Sequence, residues 1–487
     1  TRTLAAHTLA NNNPDNRNLW QEKLFNDFIP LCDLAPAFYA NGEQITLLNE
    51  PKIFYNELKK SFLLAKKRIL LAALYIGSNE HELFATIREA LETSANLQVH
   101  ILVDYLRSTR PGPNGIQDTT AHSLFPLVRD FPDRIVVSMY HTPDLAGLLK
   151  KTLPSRFNES IGLMHIKAFV FDDDIILSGA NLSRNYFTNR QDRYVIFKNL
   201  PCLADYFADL LRTIEYFSYK LQPADDSTFA LETPKANDPI SQNTLFRSNA
   251  NLAMTEFIQR WMKKSKDGDL KPLDEIPVDT VIFPAIQMGP LRIRQDEKAF
   301  LNVLDVVHRQ GCLRARESSL WTVVFTSGYF NISRKYRHKI LNSDAKFEII
   351  TASPEASYRN FKLDLCASPE KLSISISSIA GQWIFQLGCE YKRPEWTYHA
   401  KGLWIYMSDN RYPCVTFIGS PNYGDRSTER DLEAEVILLT RNENLRKAEV
   451  RNLQKYSKPV TDATFDSERR RVPYLVRLAT AFIKTML

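Results

Sequence analysis

The chain has 487 residues, of which 44% are hydrophobic and 24% are charged, and this balance excludes a disordered chain and indicates a folded protein large enough for two domains. Its formal net charge of +6 weakly favours anionic partners such as phospholipid or nucleic acid. No stretch approaches the roughly 20 consecutive apolar residues of a membrane-spanning helix, and the six cysteines lack the short spacings of a zinc site or disulfide framework.

The first folded unit is predicted to cover residues 46–221, after a polar N-terminal segment at 1–45. The apolar run from Ile69 to Ile76 predicts a buried strand, and a helical pattern follows from about Glu80 to Leu91. A second strand is predicted to end at Asp104, with a basic loop after it. Strand and helix thus alternate from the start of this unit.

The second unit, 246–487, repeats that order. A polar, proline-containing stretch at 222–245 has the composition of a linker between the units. Beyond it come a strand at 320–330, a helix and a strand from Phe347 to Pro354. We therefore expect an α/β fold of two half-domains, each a mixed β-sheet flanked by helices. A pseudo-twofold axis would bring equivalent strand ends together at one shared active site.

A histidine and a lysine occur two residues apart in each half. They are His165 and Lys167 in the first half, and His399 and Lys401 in the second. Alternation along a strand sends both members of a pair to the same face. One such pair means little, but two at equivalent places indicate function.

The two halves match at further polar positions. A glycine-containing turn ends in Asn181 in the first half and in Asn422 in the second. Asp192 and Glu433 lie 11 residues beyond their respective asparagines, and each precedes an apolar strand. Each half thus contains histidine, lysine, asparagine and a carboxylate in one order.

These residue types predict phosphoryl transfer that requires no metal or other cofactor. Lysines and asparagines can surround the phosphate oxygens with donors, while one neutral histidine attacks phosphorus and the other transfers protons. A carboxylate on the far ring nitrogen would fix each tautomer. We expect His165 to pair with Asp192, and His399 with Glu433, although either carboxylate could be a plain salt-bridge partner. The run 172–174 resembles a strand-ending turn.

At these residues the sequence resembles the phospholipase D superfamily, whose signature is H-x-K-x4-D followed by a glycine turn and an asparagine. The resemblance includes Ser420 in the second turn and adds Asp172 to the catalytic set, whereas Tyr406 stands where the second aspartate is expected. More narrowly, the segments around both motifs look like eukaryotic phosphatidylglycerophosphate synthases, over about residues 47–460.

This resemblance implies the substrates CDP-diacylglycerol and glycerol 3-phosphate, with CMP released. It implies His165 as nucleophile, His399 as general acid and base, and Asn181, Asn422 and Ser420 as substrate-binding residues. It also implies a peripheral position on the anionic, matrix side of the mitochondrial inner membrane, and no nucleic-acid partner. Because arginine binds phosphate in a bidentate fork, we expect the acceptor phosphate or the pyrophosphate to be held by some of Arg107, Arg110, Arg184, Arg190 and Arg193.

Two segments are candidates for membrane contact. The C-terminal stretch places Leu475, Leu478 and Phe482 at helical spacing after a basic run, which suits an interfacial helix but equally a helix docked on the core. The second candidate is the mixed apolar and basic stretch Leu145–Phe157.

Other functions remain open from the sequence. One is a transferase resembling phosphatidylserine synthase, with serine as acceptor. Another is a nucleic-acid phosphodiesterase similar to tyrosyl-DNA phosphodiesterase, which would account for the basic charge. A lipid-binding scaffold without activity is disfavoured by the two intact histidines.

Overall fold

The computed structural model describes most of the chain between residues 19 and 459. The described residues are 19–20, 22–147, 150, 158–270, 277–314, 321–328, 331–353, 356, 388–408, 410–450 and 456–459. The predicted C-terminal helix and most of the stretch at 145–157 lie outside them.

The first half is built on a nine-stranded mixed sheet. Its strands in chain order are β2 (Ile45–Leu48), β3 (Arg68–Ala73), β4 (Gln98–Asp104), β5 (Ile135–Tyr140), β6 (Ala168–Phe171), β7 (Asp174–Ser178), β9 (Tyr194–Phe197), β10 (Tyr219–Pro223) and β11 (Phe229–Glu232). They lie in the order β11-β10-β5-β4-β3-β6-β7-β9-β2. The three central strands β3, β4 and β5 are parallel, and the remaining pairs are antiparallel.

The second half contains a ten-stranded mixed sheet. Its strands are β1 (Phe38–Ala40), β12 (Thr280–Met288), β13 (Ile293–Arg294), β14 (Thr322–Ser327), β15 (Lys346–Ala352), β16 (Gly388–Tyr391), β18 (Lys401–Tyr406), β19 (Val415–Gly419), β20 (Leu432–Thr440) and β21 (Ser457–Pro459). The order is β1-β12-β20-β19-β18-β14-β15-β16-β21, with β13 beside β12. Again the three strands β14, β15 and β16 are parallel.

The two sheets share one topology, which confirms the predicted fold of two related α/β halves. The order β2-β9-β7-β6-β3-β4-β5-β10 of the first sheet corresponds, strand for strand and in the same directions, to β12-β20-β19-β18-β14-β15-β16-β21. A further two-stranded ladder joins the halves, formed by β8 (Arg190–Gln191) and β17 (Thr397–Tyr398). The predicted strands before Asp104 and around 320–330 and 347–354 are all present, and the last two are shorter than predicted.

Helices cover the sheets on both sides. They are α1 (Lys23–Asp27), α2 (Pro51–Leu64), α3 (His81–Thr93), α4 (Tyr105–Thr109), α5 (Thr120–Asp130), α6 (Arg184–Thr188), α7 (Pro201–Tyr216), α8 (Asn243–Asp267), α9 (Gln295–Arg314), α10 (Arg334–Leu341), α11 (Asp425–Glu429) and α12 (Glu443–Val450). The predicted helix at 80–91 is α3, while the predicted basic loop after Asp104 is the short helix α4.

One apolar core joins the halves. It contains Val170 and Val195 from the first sheet, Ile286 and Val436 from the second, and residues of α7 and α8, including the fully buried Phe207. Two further cores cover the opposite face of each sheet. Burial of apolar surface is the main favourable term in folding, so the halves are held together by the same force that stabilises each of them.

Two predicted boundaries differ from the structure. The N-terminal segment is not merely polar, because β1 pairs with β12 of the second sheet and the rings of Phe25 and Phe28 are fully buried in that half's core. The predicted linker contains β11, which pairs with β10 of the first sheet. The strand β11 is a short apolar run inside polar sequence and gives weak periodicity, whereas β1 pairs with a strand far away in the sequence.

Among the described residues, no helix has both the length and the apolar character needed to cross a membrane.

Candidate active site

The two H-x-K motifs lie at equivalent points of the two sheets. His165 and Lys167 come just before β6, while His399 precedes β18, whose first residue is Lys401. All four side chains are almost completely buried. Since β6 and β18 occupy matching central positions in their sheets, the duplication presents two similar histidines to one region.

His165 is bonded to a carboxylate from the other half of the chain. Its Nδ1 lies 2.9 Å and 3.0 Å from the two carboxylate oxygens of Glu433, and its backbone N–H donates to the carbonyl of Leu432 over 2.8 Å. The predicted pairing of His165 with Asp192 is therefore wrong. Ser427 also donates to the Glu433 carboxylate, at 2.5 Å, and this contact fixes the carboxylate in place.

His399 shows the same arrangement with the halves exchanged. Its Nδ1 lies 2.6 Å from Oδ2 of Asp192, and its backbone N–H donates to the carbonyl of Gln191 over 2.8 Å. Thus each histidine bonds the carboxylate of the opposite half and the carbonyl of the residue before it. The predicted pairing of His399 with Glu433 is also wrong, although both carboxylates do orient a histidine.

Lys401 lies within reach of both members of the His399–Asp192 pair. Its Nζ is 2.8 Å from His399 Nδ1 and 3.5 Å from Asp192 Oδ2. A ring nitrogen cannot donate to Asp192 and accept from Lys401 at once. The shorter contact to a charged acceptor favours Nδ1–H donating to Asp192, with the ammonium paired to the same carboxylate. The reactive ring nitrogen of His399 is then Nε2.

Burial keeps both imidazoles neutral. It lowers the pKa of His165 well below its usual range, and the positive charge of Lys167 lowers that pKa further. Burial and the charge of Lys401 lower the pKa of His399 to about 3. A neutral imidazole has the lone pair that nucleophilic attack and general-base catalysis both need.

The two carboxylates differ in their charge balance. Burial raises the pKa of Glu433 above its usual range, and the charge of Lys167 offsets this only in part. Burial would also raise the pKa of Asp192, but the charges of Lys401 and His399 outweigh it and hold that pKa below its usual value. The site is therefore symmetric in geometry and asymmetric in charge.

The asparagines of the two turns have equivalent unpaired atoms. The side-chain oxygens of Asn181 and Asn422 are both buried, and neither has a hydrogen-bond partner within the described part of the chain. Asn181 donates through Nδ2 to the hydroxyl of Tyr186, at 3.2 Å. Buried polar atoms without partners are rare away from sites that bind a ligand or water, so both residues fit the predicted binding role.

Tyr186 is a member of the site that the sequence did not reveal. Its hydroxyl is 3.4 Å from Nε2 of His399, and its ring meets the imidazole edge-on at 5.2 Å between centroids. Only its position five residues after Asn181, on a short helix, could have suggested it.

Two buried aspartates that were not predicted as site residues hold the backbone just before His165. Asp104 accepts hydrogen bonds from the N–H groups of Met164 and Arg107, at 3.0 Å and 2.8 Å, and burial raises its pKa to about 8. Asp431 of the second half accepts from the N–H of Leu163 at 2.8 Å. The nucleophile candidate is thus positioned by carboxylates of both halves.

The predicted arginines fall into distinct environments. Arg190 is buried, with its guanidinium 4.5 Å from the Tyr186 ring centroid, and its charge contributes to lowering the pKa of His399. Arg107 and Arg110 share the carboxylate of Glu159, at 3.7 Å and 2.5 Å. Arg184 is exposed at the start of α6.

Arg193 and Asp172 have structural roles, whereas Ser420 contacts an orienting carboxylate. Arg193 donates to the carbonyl of Phe417 and forms a buried salt bridge with Glu449 at 2.7 Å. Its guanidinium therefore binds residues of the second half and links the two halves. The Asp172 carboxylate, at the far end of β6, accepts from three backbone N–H groups at 66–68. The Ser420 hydroxyl bonds both the N–H and the carbonyl of Ala434, and its hydrogen bond to Glu433 lowers the pKa of that carboxyl.

One group in the site has the composition of a metal site. His165, Asp431 and Glu433 place one ligand atom each within 4.8 Å of one another. However, Asp431 is bonded by Arg426 at 3.0 Å, and the charges of Lys167, Lys401 and Arg426 all act on His165. Three cations around these ligands disfavour a further positive ion.

The topology and the two crossed histidine–carboxylate pairs define the class as a phospholipase D-like enzyme. Over 96% of this chain, the structure resembles phosphatidylserine synthase from Haemophilus influenzae, all of which is covered, with a TM-score of 0.65 and 20% identity. No protein-family model matches the sequence.

Curated relatives narrow the class. The chain is 36% identical over 97% of its length to the probable CDP-diacylglycerol–glycerol-3-phosphate 3-phosphatidyltransferase of Dictyostelium discoideum, of which 82% is covered. It is 36% identical over 93% to the mitochondrial enzyme of that name from Gallus gallus, with 85% of the relative covered. The Schizosaccharomyces pombe enzyme is 32% identical, with 93% and 96% covered. The chain belongs to the CDP-diacylglycerol–glycerol-3-phosphate 3-phosphatidyltransferase family.

Proposed function

We propose that this chain transfers the phosphatidyl group of CDP-diacylglycerol to glycerol 3-phosphate, releasing CMP, through a phosphatidyl-histidine at His165. The observation that carries the proposal is the crossed pairing of His165 with Glu433 and His399 with Asp192. It supplies two neutral, oriented imidazoles at one site, in a chain whose relatives bear this enzyme name.

In the first step, Nε2 of His165 attacks the phosphatidyl phosphorus and CMP leaves. CMP departs as a phosphate whose second pKa is about 6, so its departure needs little acid assistance. Positive charge develops on the attacking imidazole, and Glu433 at Nδ1 stabilises it. Lys167, Lys401 and the asparagine amides supply the donors around the phosphoryl oxygens.

The second step needs a base, because the hydroxyl of glycerol 3-phosphate is a poor nucleophile. His399 fits this role, because burial keeps the ring neutral and the Asp192 carboxylate at Nδ1 stabilises the imidazolium that forms when Nε2 takes up the proton. It removes the hydroxyl proton as the oxygen attacks phosphorus, and the bond to His165 breaks. The sequence of the two motifs is symmetric, so the choice of nucleophile rests on the superfamily resemblance.

The acceptor phosphate needs a cation at the site. Arg190 is the best placed of the five candidates, because it is buried beside Tyr186 and electrostatically coupled to His399. Arg107 and Arg110 are the second choice, and would have to exchange Glu159 for the phosphate. A bidentate guanidinium contact would distinguish glycerol 3-phosphate from a neutral alcohol.

No metal or other cofactor enters the proposed mechanism. The lysine ammonium groups take the electrostatic role that a magnesium ion plays in other phosphoryl transferases. If this is right, extensive dialysis against a chelator should leave transfer unchanged, whereas a loss restored by one divalent cation would contradict it.

We further propose that the chain acts on the matrix side of the mitochondrial inner membrane as a peripheral protein. Its vertebrate relatives are named mitochondrial, and its lipid substrate requires contact with a membrane surface. Fractionation with carbonate extraction tests the attachment, and protease protection in mitoplasts tests the side.

The deciding experiment supplies CDP-diacylglycerol with and without glycerol 3-phosphate and measures CMP and phosphatidylglycerophosphate. We expect turnover to both products only with the acceptor, because without it the reaction stops after one CMP per chain. His165→Ala and His399→Ala should show no turnover. Full rate in both variants, or no product from the intact chain, would contradict the proposal. Labelled lipid trapped on His165 but not His399 would identify the nucleophile.

The same assay tests the alternatives. Serine in place of glycerol 3-phosphate tests a phosphatidylserine synthase activity, and a single-stranded oligonucleotide with a 3′ phosphodiester adduct tests a nucleic-acid phosphodiesterase. We expect neither to be turned over, because the relatives that cover most of this chain are named for glycerol 3-phosphate.

A further inference from the structure

A second cluster of metal-binding residue types lies away from the active site. His308 and Cys312 are one helical turn apart in the last part of α9, and Asp344 lies in the connection between α10 and β15. One ligand atom from each lies within 4.8 Å of the other two. We propose that these three side chains, the HCD cluster, form a binding site for a divalent transition-metal ion of the zinc type.

The distances fit a tetrahedral ion. With zinc–sulfur bonds of about 2.3 Å and zinc–nitrogen or zinc–oxygen bonds near 2.1 Å, tetrahedral ligand atoms lie about 3.4–3.6 Å apart. In the HCD cluster, Nδ1 of His308 is 3.6 Å from Oδ2 of Asp344 and 3.9 Å from Sγ of Cys312. The Cys312 thiol donates to Oδ2 of Asp344 at 2.8 Å, and a bound ion would replace this hydrogen bond. Small rotations of the three side chains would place their ligand atoms at three of the four positions of a tetrahedral coordination sphere.

The ligand types identify the class of ion. Thiolate is a soft ligand that zinc and its transition-metal neighbours accept, whereas magnesium and calcium bind almost only oxygen. Imidazole and carboxylate complete a common zinc set. Three ligand groups of these types come together here among the described residues, and water would take the fourth position.

The backbone around the cluster is built for close approach. A Cβ atom at Gly311 would lie 2.8 Å from the carbonyl carbon of Asp344, which is too close for any side chain. Glycine at this position thus lets α9 lie directly against the residue that supplies the third ligand. An ion would then tie the end of α9 to the connection that precedes the parallel strand β15.

The spacing explains why no zinc signature is recognisable in the sequence. The usual zinc signatures combine short C-x-x-C or H-x-x-x-H pairs, and here one histidine and one cysteine are four residues apart, with a single distant aspartate. Only the packing of α9 on the 342–345 connection brings the third ligand to the pair.

Cobalt(II) tests the proposal, because tetrahedral cobalt absorbs in the visible and its bond to thiolate gives a separate charge-transfer band. The full chain is dialysed against a chelator and then titrated with CoCl2. We expect both signals to saturate at one equivalent and to disappear when ZnCl2 is added. Cys312→Ser should lose the charge-transfer band, and His308→Ala and Asp344→Asn should each weaken binding at least about tenfold.

His338→Ala is the matched control. His338 is exposed on α10 with Asn342 one turn later, so it reproduces a helical histidine without a thiol, and its cobalt titration should equal that of the unaltered chain. His165→Ala should also keep the cobalt signal, which separates this site from the proposed phosphatidyl transfer. No charge-transfer band in the unaltered chain, or an unchanged band in Cys312→Ser, would overturn the proposal. Circular dichroism of the metal-free variants checks that each is folded.

Discussion

Replacing Glu433 by glutamine tests the crossed pairing directly. The change keeps size and shape, but it replaces a carboxylate at 2.9 Å and 3.0 Å from His165 Nδ1 with a neutral amide. A hydrogen bond to a charged group contributes about 1.5–3 kcal/mol, and the cost grows in the transition state because the attacking imidazole becomes positive. In serine proteases the comparable change lowers kcat by about 10⁴, so we expect a loss of about 10³ to 10⁴, or about 4–5.5 kcal/mol in activation free energy.

Measuring the two half-reactions separately distinguishes the role of Glu433 from that of Asp192. A rapid-quench experiment with CDP-diacylglycerol alone measures the burst of CMP, and adding glycerol 3-phosphate measures transfer. We expect Glu433→Gln to abolish the burst, because Glu433 serves the proposed nucleophile. Asp192→Asn should retain the burst and slow the transfer step, because Asp192 orients the base His399.

The opposite pattern would refute the reasoning. If Asp192→Asn removed the burst and Glu433→Gln slowed only transfer, either the carboxylates would serve the histidine of their own half or His399 would be the nucleophile. Trapping labelled lipid on a histidine distinguishes these two explanations. Glu429→Gln is the control, since Glu429 is a partly exposed partner of Arg294 and should leave both steps unchanged.

Three further predictions follow from the same geometry. Asp172→Gly keeps the positive φ of 51° but removes three hydrogen bonds from backbone N–H groups. We expect the unfolding free energy, measured by urea titration, to fall by about 1–3 kcal/mol while kcat is unchanged. A large loss of kcat would restore Asp172 to the catalytic set. Tyr186→Phe removes the hydroxyl 3.4 Å from His399 Nε2 and should lower the rate of transfer about tenfold while the CMP burst persists; an equal loss in both steps would contradict that assignment. The pKa of His399 is about 3 in the folded chain and about 6.5 in the unfolded chain. Unfolding between these pH values takes up a proton, so stability falls as pH decreases from 6.5 towards 3. Chemical denaturation of His399→Gln should show a shallower pH dependence in this range, and an identical slope would show that the ring is not held neutral.

Much of the fold was open to prediction because the pattern occurs twice. The strand before Asp104 and the strand around 320–330 have long apolar runs with clear helical patterns nearby, and both are present as β4 and β14. The strand β11 was missed because Phe229–Glu232 alternates only weakly within a polar stretch. The strand β1 was missed for a different reason, since its partner β12 lies more than 200 residues away and local periodicity carries no information on such pairing.

The pairing of histidines and carboxylates could not be read from residue order. Each half contains one histidine followed by one carboxylate. This residue order is equally compatible with pairing within a half and with pairing across the halves. What decides it is the cross-half backbone contact at Leu432 and Gln191, which appears only after the sheets pack. Tyr186 was missed because nothing in the sequence distinguishes it from a core tyrosine, and in the structure it is buried with its hydroxyl beside His399.

The crossed pairs make the two halves mutually dependent. A half folded alone would have a histidine without its carboxylate and a carboxylate without its histidine, both buried at considerable free-energy cost. Arg193 adds to this, because its buried salt bridge and its bond to Phe417 place a first-half cation inside the second half. Duplication therefore produced two copies of one motif that depend on each other. The orienting carboxylate of each histidine lies in the opposite half, and the site exists only when both halves are packed together.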